Sequence, residues 1–381
     1  MKLPRMRDQG ACCNYSGLRT TEPSHDTFSD RFGVITRRTI AGEGIDSLTM
    51  KIVQTIAATL SVLGIVFGTG CDFCKPKESS GRSAERLTLG TVPVDAASLV
   101  WVAKRQGYFA QQEVDIDIRL YETGNLAVQD LRAGKLDLAT ALVFVTLRHC
   151  IQCSDLRIIA GLVECQTHEL VARRDRGITA PVDLKNKRVG ISRSTSSEYY
   201  FNLMMLLANV KPEDVRIVDL LPFEQVGALL KGDIDAGILY EPYSSRVKKE
   251  LGSNAVSWSA QSGQNDYGLL VGTRETIEKR SDAIARFLTA LASAESLINN
   301  DRGRAMAIVA KELGDKHVAS SWKNLKFELS LHRPLVLKME AELRWLRSAS
   351  DAPKSNVADV YQLIYFDALR AVANEKIGMT Q

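Results

Sequence analysis

Two segments of this chain repeat one pattern 98 residues apart: Leu131-Arg-Ala-Gly-Lys-Leu-Asp-Leu-Ala139 and Leu229-Leu-Lys-Gly-Asp-Ile-Asp-Ala-Gly237. In each segment a helical stretch ends at a glycine, Gly134 or Gly232, because glycine readily adopts the left-handed conformation that closes a helix. Two interpretations stay open. The pattern is either a generic helix–glycine–strand junction or, as we favour, the sign of two α/β lobes built on one plan. In that plan a ligand binds where the carboxyl ends of strands from the two lobes face each other.

Short apolar strands alternate with helical patterns on both sides of this pair, which is typical of α/β layers. Strands are predicted over residues 87–92, 114–120, 136–142, 156–162, 188–191, 215–220, 236–240 and 266–272. Helices are predicted over residues 97–109, 126–133, 196–208, 223–231, 306–313, 320–329, 334–348 and 357–373, with another along the apolar face from Ile284 to Ile298. We expect the C-terminal helices to pack on the first lobe.

Length and composition exclude several classes of protein. The 381 residues allow two or three domains. Hydrophobic residues make up 45% and charged residues 25%, which excludes a disordered or multi-span membrane chain. The 49 basic and 45 acidic residues are scattered and leave a net charge of +4, so nucleic acid is not an expected partner.

The amino-terminal region has the pattern of an export signal. An uncharged stretch of 19 residues, Ile52–Gly70, follows Met50-Lys51. It ends in Gly68-Thr-Gly-Cys71, which resembles the lipobox of bacterial lipoproteins and predicts lipidation of Cys71. Simple cleavage or an uncleaved anchor are the alternatives. We therefore interpret residues 1–49 as an over-extended, disordered start, residues 50–70 as a signal peptide and residues 71–85 as a lipidated tether.

Five motifs in order resemble one family, the nitrate, sulfonate, taurine and thiamine-precursor type solute-binding proteins of bacterial import systems. The motifs are Leu99–Phe109, Leu131–Asp137, Asp183–Gly190, Leu229–Asp235 and Leu239-Tyr-Glu-Pro-Tyr243. The chain departs from the family by having Asn186 where glycine is common and Tyr240 where tryptophan often precedes Glu-Pro.

The resemblance implies a fold, a function and a location. The fold is an α/β, two-lobe clamshell of the type II periplasmic binding proteins, with lobe 1 over residues 86–172 and 268–381 and lobe 2 over residues 173–267. The hinge is expected near Ala172-Arg173 and Asn265 to Gly268. The protein is expected to be monomeric, lipid-anchored at the periplasmic or cell-surface face of the membrane, and to capture a small anionic or heteroaromatic solute for an ABC permease and its ATPase. A lipid-anchored receptor for a membrane sensor and an enzyme of thiamine-precursor synthesis are the alternatives.

The candidate ligand site combines turns at strand ends in both lobes. It comprises Thr91, Val94, Asp95, Gly124, Asn125, Leu142, Val143, Ser194, Thr195, Ser196, Ser197, Tyr240, Glu241 and Asn265. Thr195 and Glu198 also have the spacing of a capping box, and Asp95 could simply cap a helix, so both readings stay open. Carboxylates at Asp95 and Glu241 favour a ligand with N–H donors or positive charge, whereas a helix N-terminus at Ser196 favours an anion.

Catalysis and metal binding have no support in the sequence. The chain has no nucleophile elbow, P-loop or His-Glu-x-x-His motif, so we expect a protein that is not an enzyme and needs no cofactor. His149-Cys150-Ile-Gln-Cys153 is interpreted as structural thiols at a helix end, because a zinc site usually takes four ligands.

Overall fold

The computed structural model describes residues 84–153, 155–314, 321–348, 357 and 359–379. All of them belong to the unit that spans Lys77–Gln381. The predicted over-extended start, the signal peptide, Cys71 and nearly all of the tether lie outside the described residues. Within the described part, no helix is both long and apolar enough to cross a membrane.

The described strands alternate with helices along most of the chain. The strands are β1 (Glu85–Thr91), β2 (Val114–Leu120), β3 (Leu138–Leu142), β4 (Leu156–Cys165), β5 (Glu169–Arg173), β6 (Arg188–Ile191), β7 (Arg216–Asp219), β8 (Ala236–Leu239), β9 (Ala255–Ser259), β10 (Asp266–Thr273), β11 (Leu325–His332) and β12 (Ile377–Gly378). The helices are α1 (Ser98–Arg105), α2 (Tyr108–Gln111), α3 (Gly124–Arg132), α4 (Val143–Cys150), α5 (Ser196–Leu207), α6 (Pro222–Lys231), α7 (Tyr243–Leu251), α8 (Arg274–Lys279), α9 (Ser281–Asn300), α10 (Arg302–Leu313), α11 (Arg333–Ser348) and α12 (Phe366–Ala373).

The strands form two sheets with one shared topology. In the described residues the first sheet has the order β12-β11-β4-β10-β3-β1-β2 and the second has the order β7-β6-β8-β5-β9. The run β2-β1-β3-β10-β4 corresponds strand by strand to β7-β6-β8-β5-β9. In both runs the first three strands are parallel, and the fourth is antiparallel to its neighbours and enters from the other lobe. The prediction of two lobes on one plan is confirmed.

The repeated aspartate has the same structural role in each lobe. Asp137 accepts hydrogen bonds from the backbone N–H and the hydroxyl of Thr88 in β1, both at 2.8 Å. Asp235 accepts one from the backbone N–H of Arg188 in β6, also at 2.8 Å. Each carboxylate therefore ties the start of one strand to the backbone of its parallel neighbour, which explains why the residue recurs 98 positions later.

The Leu or Ile of the repeat also packs alike in both lobes. A Cβ atom added at Gly90 would lie 2.5 Å from Leu136 Cδ1, and one added at Gly190 would lie 2.7 Å from Ile234 Cδ1. The side chain before each repeated aspartate thus fills the space that a glycine leaves on the first strand. The predicted left-handed glycines are confirmed as well, with φ of 71° at Gly134 and 80° at Gly232.

Three helix predictions are wrong in whole or in part. The helix predicted over residues 97–109 is divided, because Gly107 adopts a φ of 70° between α1 and α2. The predicted helix over residues 320–329 is replaced by β11, in which Leu325, Phe327, Leu329 and Leu331 are buried in alternation. Their spacing by two gives pairs four residues apart, which also fit a helical face. Of the predicted helix over 357–373, Val360–Leu363 form a 3-10 turn and Phe366–Ala373 form α12.

The boundary between the lobes also differs from the prediction. Strand β5 pairs with β8 and β9 in the second sheet, so the first crossing lies at residues 166–168 and not at Ala172-Arg173. The second crossing lies at residues 260–265, between β9 and β10. The apolar sequence of β5 fits either sheet, and only its hydrogen-bond partners decide its lobe. The first strand begins at Glu85, the last residue assigned to the tether.

One buried amide joins the two crossings. The Gln261 side chain is fully buried, and its oxygen accepts hydrogen bonds from the backbone N–H groups of Thr167 at 2.6 Å and His168 at 2.9 Å. Its nitrogen donates to the carbonyl oxygens of Cys165 at 3.0 Å and Gln264 at 2.9 Å. This amide therefore satisfies backbone groups of both connections between the lobes.

Replacing Gln261 with leucine should lower the free energy of unfolding by about 2–3 kcal/mol, because buried backbone N–H groups lose their acceptor. Urea unfolding followed by circular dichroism measures the change. Gln264→Leu is the matched control, since the Gln264 side chain is exposed, and should change stability by at most about 0.5 kcal/mol. Equal effects of the two substitutions would show that the Gln261 bonds are not the stabilising feature.

Candidate functional site

A cleft lies between the two sheets, at the carboxyl ends of their parallel strands. It encloses about 950 Å³, counting the part that is open to solvent. The first lobe supplies Thr91, Val92, Val94, Asp95, Ala96, Ala97, Thr123, Gly124, Thr140, Ala141, Leu142, Val145, Leu162, Val163, Cys165 and Gly268. The crossing adds Thr167 and His168, and the second lobe adds Ser192, Thr195, Ser196, Ser197, Pro222, Tyr240 and Glu241.

Most of the predicted site residues are brought together in this cleft. Those that line it are Thr91, Val94, Asp95, Gly124, Leu142, Thr195, Ser196, Ser197, Tyr240 and Glu241. They come from turns that are distant in sequence, and the parallel strands place these turns at one edge of each sheet. The geometry is therefore that of a cleft lined by both lobes.

Four predicted site residues lie elsewhere. Asn125 accepts a hydrogen bond from His149 Nε2 at 2.9 Å, and Val143 is fully buried in the first lobe's core. The backbone N–H of Ser194 donates to the Glu198 carboxylate at 2.9 Å.

The fourth, Asn265, belongs to the second crossing. Its side-chain oxygen accepts a hydrogen bond from Gln166 Nε2 at 2.5 Å, and its amide nitrogen donates to the Glu164 carboxylate. All four residues make structural contacts outside the cleft lining, through the side chain at Asn125, Val143 and Asn265 and through the backbone at Ser194.

The lining residues that the sequence did not reveal come mainly from strands and the crossing. Leu162, Val163 and Cys165 lie on β4, whose place in the sheet depends on antiparallel pairing with β10. Thr140 lies inside β3, where its hydroxyl is 2.7 Å from that of Thr91. An apolar strand residue gives no sign of facing a cleft. Thr140, a polar residue inside β3, is the one of these residues whose type could have indicated a position at the cleft.

The N-terminus of α5 is capped by its own side chains. Thr195 Oγ1 accepts a hydrogen bond from the Ser197 N–H at 3.2 Å, which confirms Thr195 as the N-cap. The Glu198 carboxylate accepts from Ser194, one residue before the position that a capping box requires, and lies 3.5 Å from Arg193 Nη1. Ser196 lines the cleft and is 1% exposed, and its hydroxyl has no hydrogen-bond partner among the described residues.

The floor of the cleft contains a neutral histidine. His168 packs against the rings of Tyr200 and Tyr240, with centroid distances of 5.1 and 5.6 Å. Burial lowers the pKa of His168 to about 4, so the ring is uncharged near neutral pH. Its Nδ1 atom has no hydrogen-bond partner among the described residues. Burial also raises the pKa of the Cys165 thiol well above its ordinary value, so this thiol stays protonated.

Two carboxylates face the cleft from opposite lobes. Asp95 is 7% exposed and begins a 3-10 turn, Asp95–Ala97, while the N-cap of α1 is Ala97. Glu241 follows β8, and its carboxylate accepts a hydrogen bond from the Ser245 hydroxyl at 2.6 Å. Asp95 thus does not take the N-cap position of α1, and both acidic residues line the cleft.

The described side chains of the His149–Cys153 segment make structural contacts and do not form a metal site. His149 Nδ1 lies 3.1 Å from Arg132 Nη1, which can only donate, so Nε2 carries the proton and donates to Asn125. Burial, helped by the Arg132 charge, lowers the pKa of His149 to about 4, and burial raises that of Cys150 to about 12. Among the described residues, no group of three or more His, Cys, Asp or Glu is arranged to hold a metal ion.

Comparisons with known proteins agree with this architecture. A family model described as NMT1/THI5 like matches residues 97–302. A Brucella abortus (strain 2308) protein described as a binding protein is 23% identical over 233 residues, which cover 57% of this chain and 67% of that protein.

Two solved structures show the fold. The periplasmic aliphatic sulphonate binding protein SsuA from Escherichia coli superposes with a TM-score of 0.62 at 18% identity, over 76% of this chain and 99% of SsuA. The desulfurization enzyme DSZB superposes with a TM-score of 0.56 at 14% identity, over 76% of this chain and 99% of DSZB. The periplasmic-binding-protein clamshell is therefore confirmed, and it is a fold that carries both binding and catalysis.

The buried histidine predicts an acid-sensitive fold. The pKa of His168 is about 4 in the folded protein and returns to about 6.5 on unfolding. The unfolded protein therefore binds the proton more tightly, so the free energy of unfolding is unaffected above pH 6.5 and decreases as the pH falls toward 4. Urea unfolding between pH 7 and 4.5 should show a smaller loss of stability in His168→Gln than in the wild-type protein, by up to about 3 kcal/mol. His149 contributes equally to both proteins, so an unchanged pH dependence in the variant would contradict this assignment.

Proposed function

The chain belongs to the NMT1/THI5-like family, and from this premise we propose that it is an extracytoplasmic solute-binding protein that delivers a small solute to an ABC-type importer. The observation that carries the proposal is the cleft, which both lobes line with side chains from the ends of their parallel strands. A ligand held there contacts two bodies at once. The partners implied are an ABC permease and its ATPase, and the protein acts as a monomer.

Binding is coupled to closure in this proposal. The lobes are joined by residues 166–168 and 260–265, and the ligand has more contacts when the two cleft walls approach. A ligand shifts the open and closed populations by its differential affinity for the two states. The Gln261 amide holds the crossings together, so the rotation is expected at the backbone on either side of it.

The chemistry of the cleft favours binding without reaction. Its candidate nucleophile is Cys165, and its candidate base is His168. The reactive form of cysteine is the thiolate, and burial raises the Cys165 pKa. A base that activates this thiol would hydrogen-bond to it, and the described contacts of His168 are with aromatic rings and with Gln261. The desulfurization enzyme shares the fold, but this cleft does not present an activated thiol.

We further propose export and lipid anchoring at Cys71. This rests on the uncharged stretch Ile52–Gly70 and on the small residues that precede Cys71. The mature protein then stands at the outer face of the cytoplasmic membrane, where a tethered solute-binding protein meets its permease.

Ligand binding should compact the protein and depend on Tyr240. A panel of small sulfonates, carboxylates and heteroaromatic amines is screened by thermal shift, since a ligand at 100 times its Kd stabilises by about 2.7 kcal/mol. The compound that stabilises should reduce the radius of gyration in small-angle X-ray scattering. Tyr240→Ala should weaken its binding about tenfold, equivalent to about 1.4 kcal/mol.

Tyr267→Ala is the matched control for Tyr240→Ala, because Tyr267 lines a different cavity beside Lys326 and His332. It should keep the wild-type affinity. Chemical conversion of the compound by the purified protein would overturn the binding-only proposal, and a compound that binds without compaction would overturn the closure mechanism.

Lipid anchoring is tested separately in cells. Cys71→Ala should move the protein from the membrane fraction to the soluble fraction or leave it unprocessed, and mass spectrometry of the wild-type protein should find a diacylated peptide that begins at residue 71. Cys74→Ala is the control and should remain anchored. A wild-type protein that is soluble and starts before residue 50 would contradict the assignment.

A further inference from the structure

We propose that Cys150 and Cys153 form an intramolecular disulfide in the mature protein, made by thiol–disulfide exchange with an oxidant that itself carries a disulfide. Neither cysteine belongs to the cleft lining, so the bond is a modification of the first lobe and not part of the ligand site. The inference rests on the proposed export, because disulfides form and persist in oxidising compartments outside the cytoplasm.

The two cysteines lie one helical turn apart. Helix α4 ends at Cys150, and a helical hydrogen bond continues beyond it, because the Cys153 N–H donates to the His149 carbonyl oxygen at 2.9 Å. Residues three apart on such a turn have Cβ atoms about 5–6 Å apart, whereas a disulfide needs about 3.5–4.5 Å. The difference of about 1–2 Å is closed by a small adjustment of the turn at Ile151 and Gln152, which lies outside the regular helix.

The remaining cysteine in the described part of the chain is too far away to compete. It is Cys165, at the last position of β4, nine residues after Leu156. At about 3.3 Å per residue these nine residues extend over roughly 30 Å. Cys153 is separated from Leu156 by only two residues, so it lies near the opposite end of that strand. Cys150 therefore has Cys153 as its described partner.

The two thiols differ in access, and this difference sets the order of the reaction. Cys150 is 2% exposed, whereas Cys153 is half-buried. Burial raises the pKa of the Cys150 thiol to about 12, although the charges of Arg157 and Arg132 oppose the rise. Because thiolates are the attacking species, Cys153 is the thiol that reacts first with an outside oxidant.

The exchange takes two steps, and its atoms and electrons balance. The Cys153 thiolate attacks one sulfur of the oxidant's disulfide, which forms a mixed disulfide and releases one thiol of the oxidant. Cys150 then gives up its proton and attacks Cys153 Sγ, and the bond to the oxidant breaks to release its second thiol. The two cysteines lose two electrons and two protons, and the oxidant gains both.

The bond fastens a turn that holds α3. Gln152 lies between the two cysteines, and its Oε1 atom accepts a hydrogen bond from Arg132 Nη1 at 3.0 Å. Arg132 is the last residue of α3, and the first residue of this helix, Gly124, lines the cleft. A disulfide across this turn restricts Gln152 and so stabilises the contact between α3 and the end of α4.

Peptide mapping tests the pair directly. The full chain is expressed in a bacterial host, its free thiols are blocked with N-ethylmaleimide in denaturant, and it is digested with trypsin for mass spectrometry. Cleavage after Arg148 and Arg157 gives one peptide, residues 149–157, that holds both cysteines. This peptide should carry no maleimide and should be lighter than the dithiol form by two hydrogen atoms. The peptide of residues 158–173 contains Cys165 alone, and as the internal control it should carry one maleimide.

Reduction provides a second measurement on the same protein. Dithiothreitol should lower the urea midpoint of the wild-type protein, because a disulfide restricts the unfolded chain. It should leave the midpoint of Cys153→Ser unchanged. Cys74→Ala is the matched control, since it removes a thiol from the other C-x-x-C pair, and it should respond to dithiothreitol as the wild-type protein does.

A reaction in the test tube separates the pairing from the proposed export. Purified protein is reduced and then incubated with oxidised glutathione before mapping. Two maleimides on the peptide of residues 149–157 after this treatment, or either cysteine bound to a different thiol, would overturn the pairing. A bond that forms with oxidised glutathione but is absent from protein recovered from cells would contradict the export and leave the pairing intact.

Discussion

The architecture depends on the hydrogen bonds of one buried amide. Two segments connect the lobes, and both leave their sheets with backbone groups that no strand satisfies. The Gln261 side chain supplies the acceptor for Thr167 and His168 and the donors for Cys165 and Gln264. A buried backbone group without a partner is costly, so this amide stabilises the arrangement of the two crossings. The cleft lies directly against this joint, because Cys165, Thr167 and His168 are part of its lining.

A second contact between the lobes is made by α11. Trp345 on this helix packs on Phe144 of α4 and on Tyr199 of α5, with centroids 5.5 and 5.7 Å away, and so it contacts both lobes. The Lys338–Glu342 pair of the same helix is almost completely buried beside Tyr199. Burial, together with the Asp266 charge, raises the pKa of Glu342 to about 8. Buried ionisable pairs contribute little net stability, but they restrict a helix to the packing that satisfies them.

Proteins that share this fold differ in function because their clefts present different groups. The clamshell occurs in binding proteins and in a desulfurization enzyme, so the role of this chain depends on the groups that its two lobes present. Here a neutral histidine and a protonated thiol lie beside carboxylates and apolar walls. This combination suits recognition better than covalent chemistry.

The sequence by itself determined the features that repeat locally. Each of these features depends on residues within one junction: the echo around Asp137 and Asp235, the glycine helix ends and the Thr195 cap. Most strands and most turn residues of the cleft were also predictable from local patterns. Tertiary structure decided the lobe of β5, the strand at Leu325–His332 and the cleft positions of Cys165 and His168. Apolar alternation is compatible with more than one sheet or with a helix, and antiparallel pairing across about 100 residues has no local signal. Which partner a strand hydrogen-bonds is a property of the folded chain alone.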